Sequence, residues 1–398
     1  MALVPVETAR ALLLRDVMPT PAEPVALADA GGRVLAEPIA ANRTQPPFDA
    51  SSMDGYAVRA ADIAGAPVTL RMVGTAAAGH GFAGTVGPGE AVRIFTGAPM
   101  PAGTDTVLIQ ENARAGDGTV EALQSEPRGR FVRRAGLDFA AGEVLLQAGR
   151  RLDERALALA AAMNHAVLPV RRRPKVAILA TGDELVAPGG TPAADQIVAS
   201  NGAGLAALVH AAGGEAVDLG IARDDLAEIE ARIETAADAD VVALLGGASV
   251  GDHDFTREAL QRRGFTLDFW KIAMRPGKPL MAGRAGNRIA LGLPGNPVAS
   301  LVCGRLFLVP LIDRLLGGAG AAPATLPALL GRDLEANDLR EDYLRATLDR
   351  VGDTLVATPF AVQDSSMLAH LANADCLVVR APFAAAAAAG EPCRIIRF

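Results

Sequence analysis

From residue 174 to residue 316, runs that read as strand and runs that read as helix take strict turns, and no other feature of this 398-residue chain constrains its fold as much. VAILATG (176–182) reads as a buried strand and SNGAGLAALVHAAGG (200–214) as a helix capped by Ser200 and stopped by Gly213. EAVDLGIA (215–222), DVVALLGG (240–247), LDFWKIAM (267–274) and RIALGLP (288–294) continue as strands. DDLAEIEARIETAAD (224–238) and DFTREALQRRG (254–264) lie between them as helices, and NPVASLVCGRLFLVPLIDRLL (296–316) closes the series as one long, largely buried helix. Such alternation implies a doubly wound, mainly parallel sheet. Ligands bind such sheets outside the carboxyl ends of the strands. ATGDEL, GIARDD, GGASVGDHD and GLPGNP fall at those ends.

The flanks differ in character. A short amphipathic helix is expected over 6–18, ended by Pro19 and Pro21. From about residue 46 to 140, short β-rich runs (VTLRMVG, EAVRIFTG, TDTVLIQEN, GTVEAL) alternate with Gly and Pro turns. Residues 153–163 return to helix with Asp153 as its cap, and the RRRP of 171–174 marks a boundary. After the linker GGAGAAPATLP (317–327), YLRATLDRVGDTLVATPF predicts a hairpin turning at Gly352–Asp353 inside a small β-barrel or sandwich.

Composition narrows the function classes. A net charge of -7 argues against a nucleic-acid coat. Cys303, Cys376 and Cys393 are far apart, without zinc spacing, and such sparse usage fits a reducing compartment. The N-terminal stretch carries charges inside its apolar run, unlike a signal peptide, and no run reaches the roughly 18 apolar residues of a membrane span. A cytoplasmic protein is expected. The five histidines form no metal set and suggest no nucleophilic triad.

GGASVGDHD (246–254) is the segment with the most chemistry. Gly246, Gly247 and Gly251 let backbone N–H groups approach an anion, and Ser249 adds a hydroxyl donor. The following helix points its amino end at the loop. Asp252 and Asp254 can hold a divalent cation shared with a phosphate. The plain alternative is a Gly-rich turn with Asp254 as helix cap. Lys271, Arg275 and Lys278, stiffened by Pro276 and Pro279, suit an oxyanion clamp, or are a solvated basic loop. Asp183, Glu184, Asp224 and Asp225 stand at strand ends, where each can also simply cap a helix. Pro294, Asn296 and Pro297 make a tight strand-to-helix turn with Asn296 as cap, either structural or ligand-binding. PPFDASSMDGYAV (46–58) and TGAPMPAGTD (96–105) are long, irregular and too apolar for disorder, which marks them as functional loops.

Read together, these segments with RRAGLDF (133–139), SNG (200–202), LGIARDD (219–225) and MRPGKP (274–279) resemble the molybdopterin molybdenumtransferase family, bacterial MoeA and the E domain of gephyrin, in the family's order over roughly residues 3–380. The resemblance implies an α/β multidomain subunit. Residues 1–45 and 141–171 would form a discontinuous helical domain and 46–140 an inserted β-rich domain. Residues 172–318 would form an α/β domain like those of pterin adenylyltransferases, and 319–398 a C-terminal β-barrel. It implies a homodimer whose cleft is shared between subunits, with a pterin adenylyltransferase as donor. The implied reaction joins adenylyl-molybdopterin and molybdate with magnesium, giving molybdenum cofactor and AMP.

Carried over by motif, Asp54, Thr96, Asp138, Glu184, Asp224 and Asp254 surround that site, and Lys271 and Arg275 match its basic positions. Gly246, Gly247, Ser249, Gly251, Lys278, Pro294, Asn296 and Pro297 fall on its pterin-binding segments, and Glu184 and Asp254 are the expected magnesium ligands. Three positions depart from the pattern: Ala248 where Val is common, Arg275 where some members have Lys, and Leu137 where relatives often have Glu. The rival readings are a pterin adenylyltransferase, which would make the adenylylated pterin from ATP, and a non-catalytic scaffold.

Overall fold

The computed structural model describes residues 3–246 and 255–398. The motif residues Gly247, Ser249, Gly251, Asp252, His253 and Asp254 therefore lie outside the described residues. The chain forms two compact units, Met1–Glu23 with Val170–Phe398, and Pro24–Pro169. No helix of the described residues is long and apolar enough to cross a membrane.

In Pro24–Pro169 the β-rich runs form one six-stranded sheet, ordered Thr106–Ile109, Gly55–Val58, Glu90–Ile94, Val68–Ala76, Thr119–Ala122, Ala113–Ala115. Alternate residues along each strand face opposite sides. Tyr56, Val58, Leu70, Leu108 and Val120 fill one core, and Ala57, Ala76, Val92, Ile94 and Val107 fill another on the opposite face. Gly55–Val58 is buried at every position because it is covered on both faces. The helix Glu154–Ala162 starts where expected, with the Asp153 carboxylate accepting the Ala156 N–H at 2.9 Å.

The α/β sheet is ordered Glu215–Ala222, Lys175–Thr181, Val241–Leu245, Arg288–Leu293, Met281–Ala285, Thr266–Trp270. Its first four strands are parallel and its last two antiparallel. The strand Met281–Ala285 was not anticipated. Its sequence, MAGRA, has no alternation and is short of β-branched residues, and tertiary pairing on both edges makes it a strand. The strand expected over 267–274 ends at Trp270, because Lys271 takes φ +69. Met274–Arg275 then pairs with Glu341–Asp342 of the C-terminal sheet.

Helix ends also needed correction. The long helix over 296–316 is Pro297–Cys303, a π-helical segment Gly304–Leu308, and Val309–Leu315. Pro310 has no N–H for the carbonyl one turn back, and the ladder shifts around that gap. The first helix stops at Leu14, four residues early. There the Arg284 guanidinium donates to the Leu12, Leu13 and Arg15 carbonyls, satisfying the helix end from the sheet. Ser200 makes no cap bond; Asn201, the first helical residue, sends its amide to the Gly295 carbonyl at 2.7 Å. Gly213 closes that helix at φ +97, as expected.

The C-terminal strands close into a five-stranded barrel. Glu341–Val351 pairs with both Thr354–Pro359 and Cys376–Arg380. Pro392–Arg397 and Leu326–Leu330 complete the ring back to Thr354–Pro359. Ala328, Leu330, Ala346, Ala357, Cys376, Val378 and Ile395 fill it, and small side chains suit so narrow an interior. The hairpin turns at Gly352–Asp353, with Gly352 at φ +60.

Candidate active site

The carboxyl ends of the parallel strands open into a cleft of about 970 Å³. Of the residues expected at a site, Glu184, Asp224, Gly246, Arg275, Lys278, Pro294, Asn296 and Pro297 line it. They come from five separate stretches of sequence. The parallel register brings them to one edge.

Gly246 opens the glycine-rich segment at the end of its strand. Its φ is +101, and a Cβ there would lie 2.6 Å from the Thr181 carbonyl oxygen. No other residue fits this close approach of two strand ends. Thr181 lines the same wall, with its hydroxyl buried and without a hydrogen-bond partner among the described residues.

The acidic side separates two readings that the sequence left open. Asp225 is the helix cap, accepting the Glu228 N–H at 2.9 Å. Asp224 is free of that duty and turns into the cleft. Its backbone N–H donates to the Asp183 carboxylate at 3.3 Å. Burial, with Asp183 and Glu184 nearby, pushes the Asp224 carboxyl above the usual carboxylate range. A cation would relieve that repulsion. No group of three or more His, Cys, Asp or Glu among the described residues could hold a metal ion by itself. Carboxylates are oxygen donors of the kind that hold a hard divalent ion.

The basic side is less open than the sequence implied. Arg275 forms a bidentate ion pair with Asp342 and also donates to Asn337 at 3.1 Å. Arg340, a second cleft arginine, is paired with Asp338 at 2.7 Å. Lys278 lines the cleft with no acidic partner among the described residues. Lys271 is not among the lining residues; its ammonium sits 3.9 Å from the centre of the Trp270 ring.

The barrel contributes a wall that sequence reasoning missed: Gln363, Asp364, Ser365 and Ser366. Asn296, expected as a helix cap, makes no cap bond and instead donates to the Ser365 hydroxyl at 2.7 Å. Behind this loop Arg345, fully buried, donates to the Asp364 carbonyl at 3.0 Å. The signal was present as QDSS, a polar turn sequence following a strand.

The remaining expected residues belong to Pro24–Pro169. Asp54 accepts both the N–H and the hydroxyl of Thr96, each at 2.8 Å. These bonds, the backbone one first, hold the Asp54 carboxyl below its usual range. Arg93 lies 5.0 Å from the ring centres of both Tyr56 and Phe95. Asp138 is exposed, with its N–H donated to the Gln45 carbonyl. The neighbouring Asp49, which sequence reasoning passed over, binds Arg134 at 2.6 Å and the Ala135 N–H at 2.9 Å. His165 is structural, 2.8 Å from the Ala40 carbonyl.

A doubly wound domain whose strand-end cleft is walled by a closed barrel defines a class of multidomain α/β proteins. Residues 177–314 match the model of a probable molybdopterin-binding domain, 4–164 the MoeA N-terminal region (domains I and II), and 327–398 the MoeA C-terminal region (domain IV). The molybdopterin molybdenumtransferase of Nostoc sp. is 40% identical over 81% of this chain and 76% of its own length. The molybdopterin molybdenumtransferase 2 of Mycobacterium tuberculosis is 35% identical over 89% of each chain. The crystal structure of a molybdopterin biosynthesis MoeA protein from Pyrococcus horikoshii superposes with a TM-score of 0.88 at 31% identity, covering 100% of this chain and 99% of that one. The chain belongs to the molybdopterin molybdenumtransferase (MoeA) family.

Proposed function

We propose that this protein, a transferase of molybdenum cofactor biosynthesis, inserts molybdate into adenylyl-molybdopterin with release of AMP. One observation carries the reading: a single cleft holds crowded carboxylates on one side and, on the other, Lys278 without an acidic partner among the described residues, joined by the Gly246 strand end. Molybdate and a diphosphate bridge repel each other. Bringing them together requires local cations and backbone donors, which this cleft supplies without the protein being basic overall.

In this reading Lys278 neutralises a phosphate or molybdate oxygen. Gly246, at the strand end, offers the pterin phosphate a bare backbone. Asn201 and Asn296 fix the neighbouring turn, through Gly295 and Ser365. Glu184 and Asp254 would hold magnesium, which when bound polarises the phosphoanhydride to be cleaved. Asp224 keeps the surrounding field negative so that the cation is retained. Catalysis is positioning and charge neutralisation, without an assigned general base. Asp54, Thr96 and Asp138 belong to the same reaction through a homodimer with a shared cleft. The protein works in the cytoplasm and receives its pterin from an adenylyltransferase.

The test is direct. Purified protein is incubated with adenylylated molybdopterin, magnesium and molybdate, and AMP release and metal retention are measured. Release of AMP dependent on both metals supports the reading. A parallel incubation with ATP and molybdopterin should give no pyrophosphate; pyrophosphate in its place would identify an adenylyltransferase.

A further inference from the structure

The cleft loop and the barrel meet at one fastening. Met274–Arg275 runs parallel to Glu341–Asp342, and the Glu341 N–H donates to the Ala273 carbonyl at 2.9 Å. On that backbone seam the Arg275 guanidinium makes its two-pronged contact with Asp342, which is 4% exposed. Asn337 braces the fork, accepting from Arg275 while its amide donates to the Arg340 and Ala381 carbonyls. Three residues beyond Asp342 on the same strand, Arg345 exchanges hydrogen bonds with Gln363 and donates to the Asp364 carbonyl. Those residues open the loop whose Ser365 receives Asn296 and whose Ser365 carbonyl accepts the Val298 N–H at 3.1 Å.

We infer that Asp342 is a positioning residue of this enzyme: through Arg275 it sets the strand that carries the Gln363–Ser366 wall of the cleft. Arg275 is then a fastener, not a substrate clamp. Its Nε and Nη2 donate to a buried carboxylate and an amide oxygen on the barrel, its Nη1 lies 3.6 Å from the Asp338 carboxylate, and a planar fork is what such a bidentate contact requires. Lysine would keep the charge and lose the fork. Lys278, three residues on, is left as the cation of this loop that faces the substrate. The inference rests on the cleft being the adenylylated-pterin site.

Two conservative variants decide it. In Asp342→Asn the carboxylate's charge is lost while Arg275 remains; in Arg275→Lys the charge remains while the fork is lost. Both are measured for kcat and KM with adenylylated molybdopterin, and for hydrogen exchange at residues 360–367. Positioning predicts that each raises KM about tenfold with kcat within about twofold, and that each speeds exchange in the loop. The double variant should be no worse than either single one, because both break one fastening. Wild-type KM in Arg275→Lys together with an unchanged or lowered KM in Asp342→Asn would overturn the inference, since Arg275 would then be acting on substrate by charge alone. If the wild type releases no AMP, the reading of the cleft fails instead. Loop exchange then decides alone: faster exchange in both variants upholds the fastening, and unchanged exchange overturns it.

Discussion

The carboxylate of Asp54 receives two bonds from a single residue, the N–H and the hydroxyl of Thr96, both at 2.8 Å. Two loops 42 residues apart are thereby tied through their polar ends. Thr96→Val should remove the side-chain bond and keep the backbone one. The Asp54 pKa, held down in the wild type, should rise toward the ordinary carboxylate value of about 3.9. Because the folded pKa is depressed, the stability this group contributes is present above that value and is lost as pH falls through the folded pKa. A carboxyl-detected NMR titration of the two proteins reads the shift. An unmoved Asp54 would show that the hydroxyl does not matter.

Asp224 has the opposite sign. Its folded pKa is raised, so its ionisation opposes folding above the ordinary carboxylate range. Asp224→Asn should therefore raise Tm at pH 7, and the gain should vanish below about pH 4, where the unfolded-state carboxyl is also protonated. The same variant should lower AMP release. A Tm unchanged or lowered at pH 7 would contradict the repulsion among Asp183, Glu184 and Asp224.

Lys278 is the cleft cation without an acidic partner among the described residues. Lys278→Ala should slow AMP release about 10²-fold, the usual scale for losing one charged donor to a reacting oxyanion. Thermal stability should barely change, since no ion pair among the described residues is broken. Turnover within twofold of wild type, in steady-state kinetics, would remove Lys278 from the mechanism.

Gly246 cannot take a side chain without moving the Thr181 backbone. Gly246→Ala should destabilise the α/β unit by roughly 1–3 kcal/mol in denaturant titration, from left-handed backbone strain and the clash together. A neutral result would mean that the two strand ends separate freely.

Much of this protein was legible along the chain because its signals are local. The strand–helix alternation, the Asp153 cap, the Gly213 stop and the Gly352 turn each depend on a few neighbouring residues, and each appears in the structure. The ordered motifs sufficed to point to the family. What stayed hidden depends on partners far away in sequence. MAGRA is a strand because of its two neighbours, and the first helix ends at Leu14 because Arg284 caps it from 270 residues away.

The same division runs through the site. Residue types alone placed carboxylates and cations at strand ends, but could not tell a cap from a ligand or a clamp from a fastener. Hydrogen-bond geometry assigned Asp225 to its helix and left Asp224 to the cleft. It tied Arg275 to Asp342 and left Lys278 facing inward. Glycine spacing by itself left GGASVGDHD open between a ligand-approaching backbone and a plain turn; only the packing of Gly246 against Thr181 decided that no side chain could take that one position. Charge and backbone freedom are properties of a residue, whereas the partner that neutralises a charge or fills a space is a property of the fold.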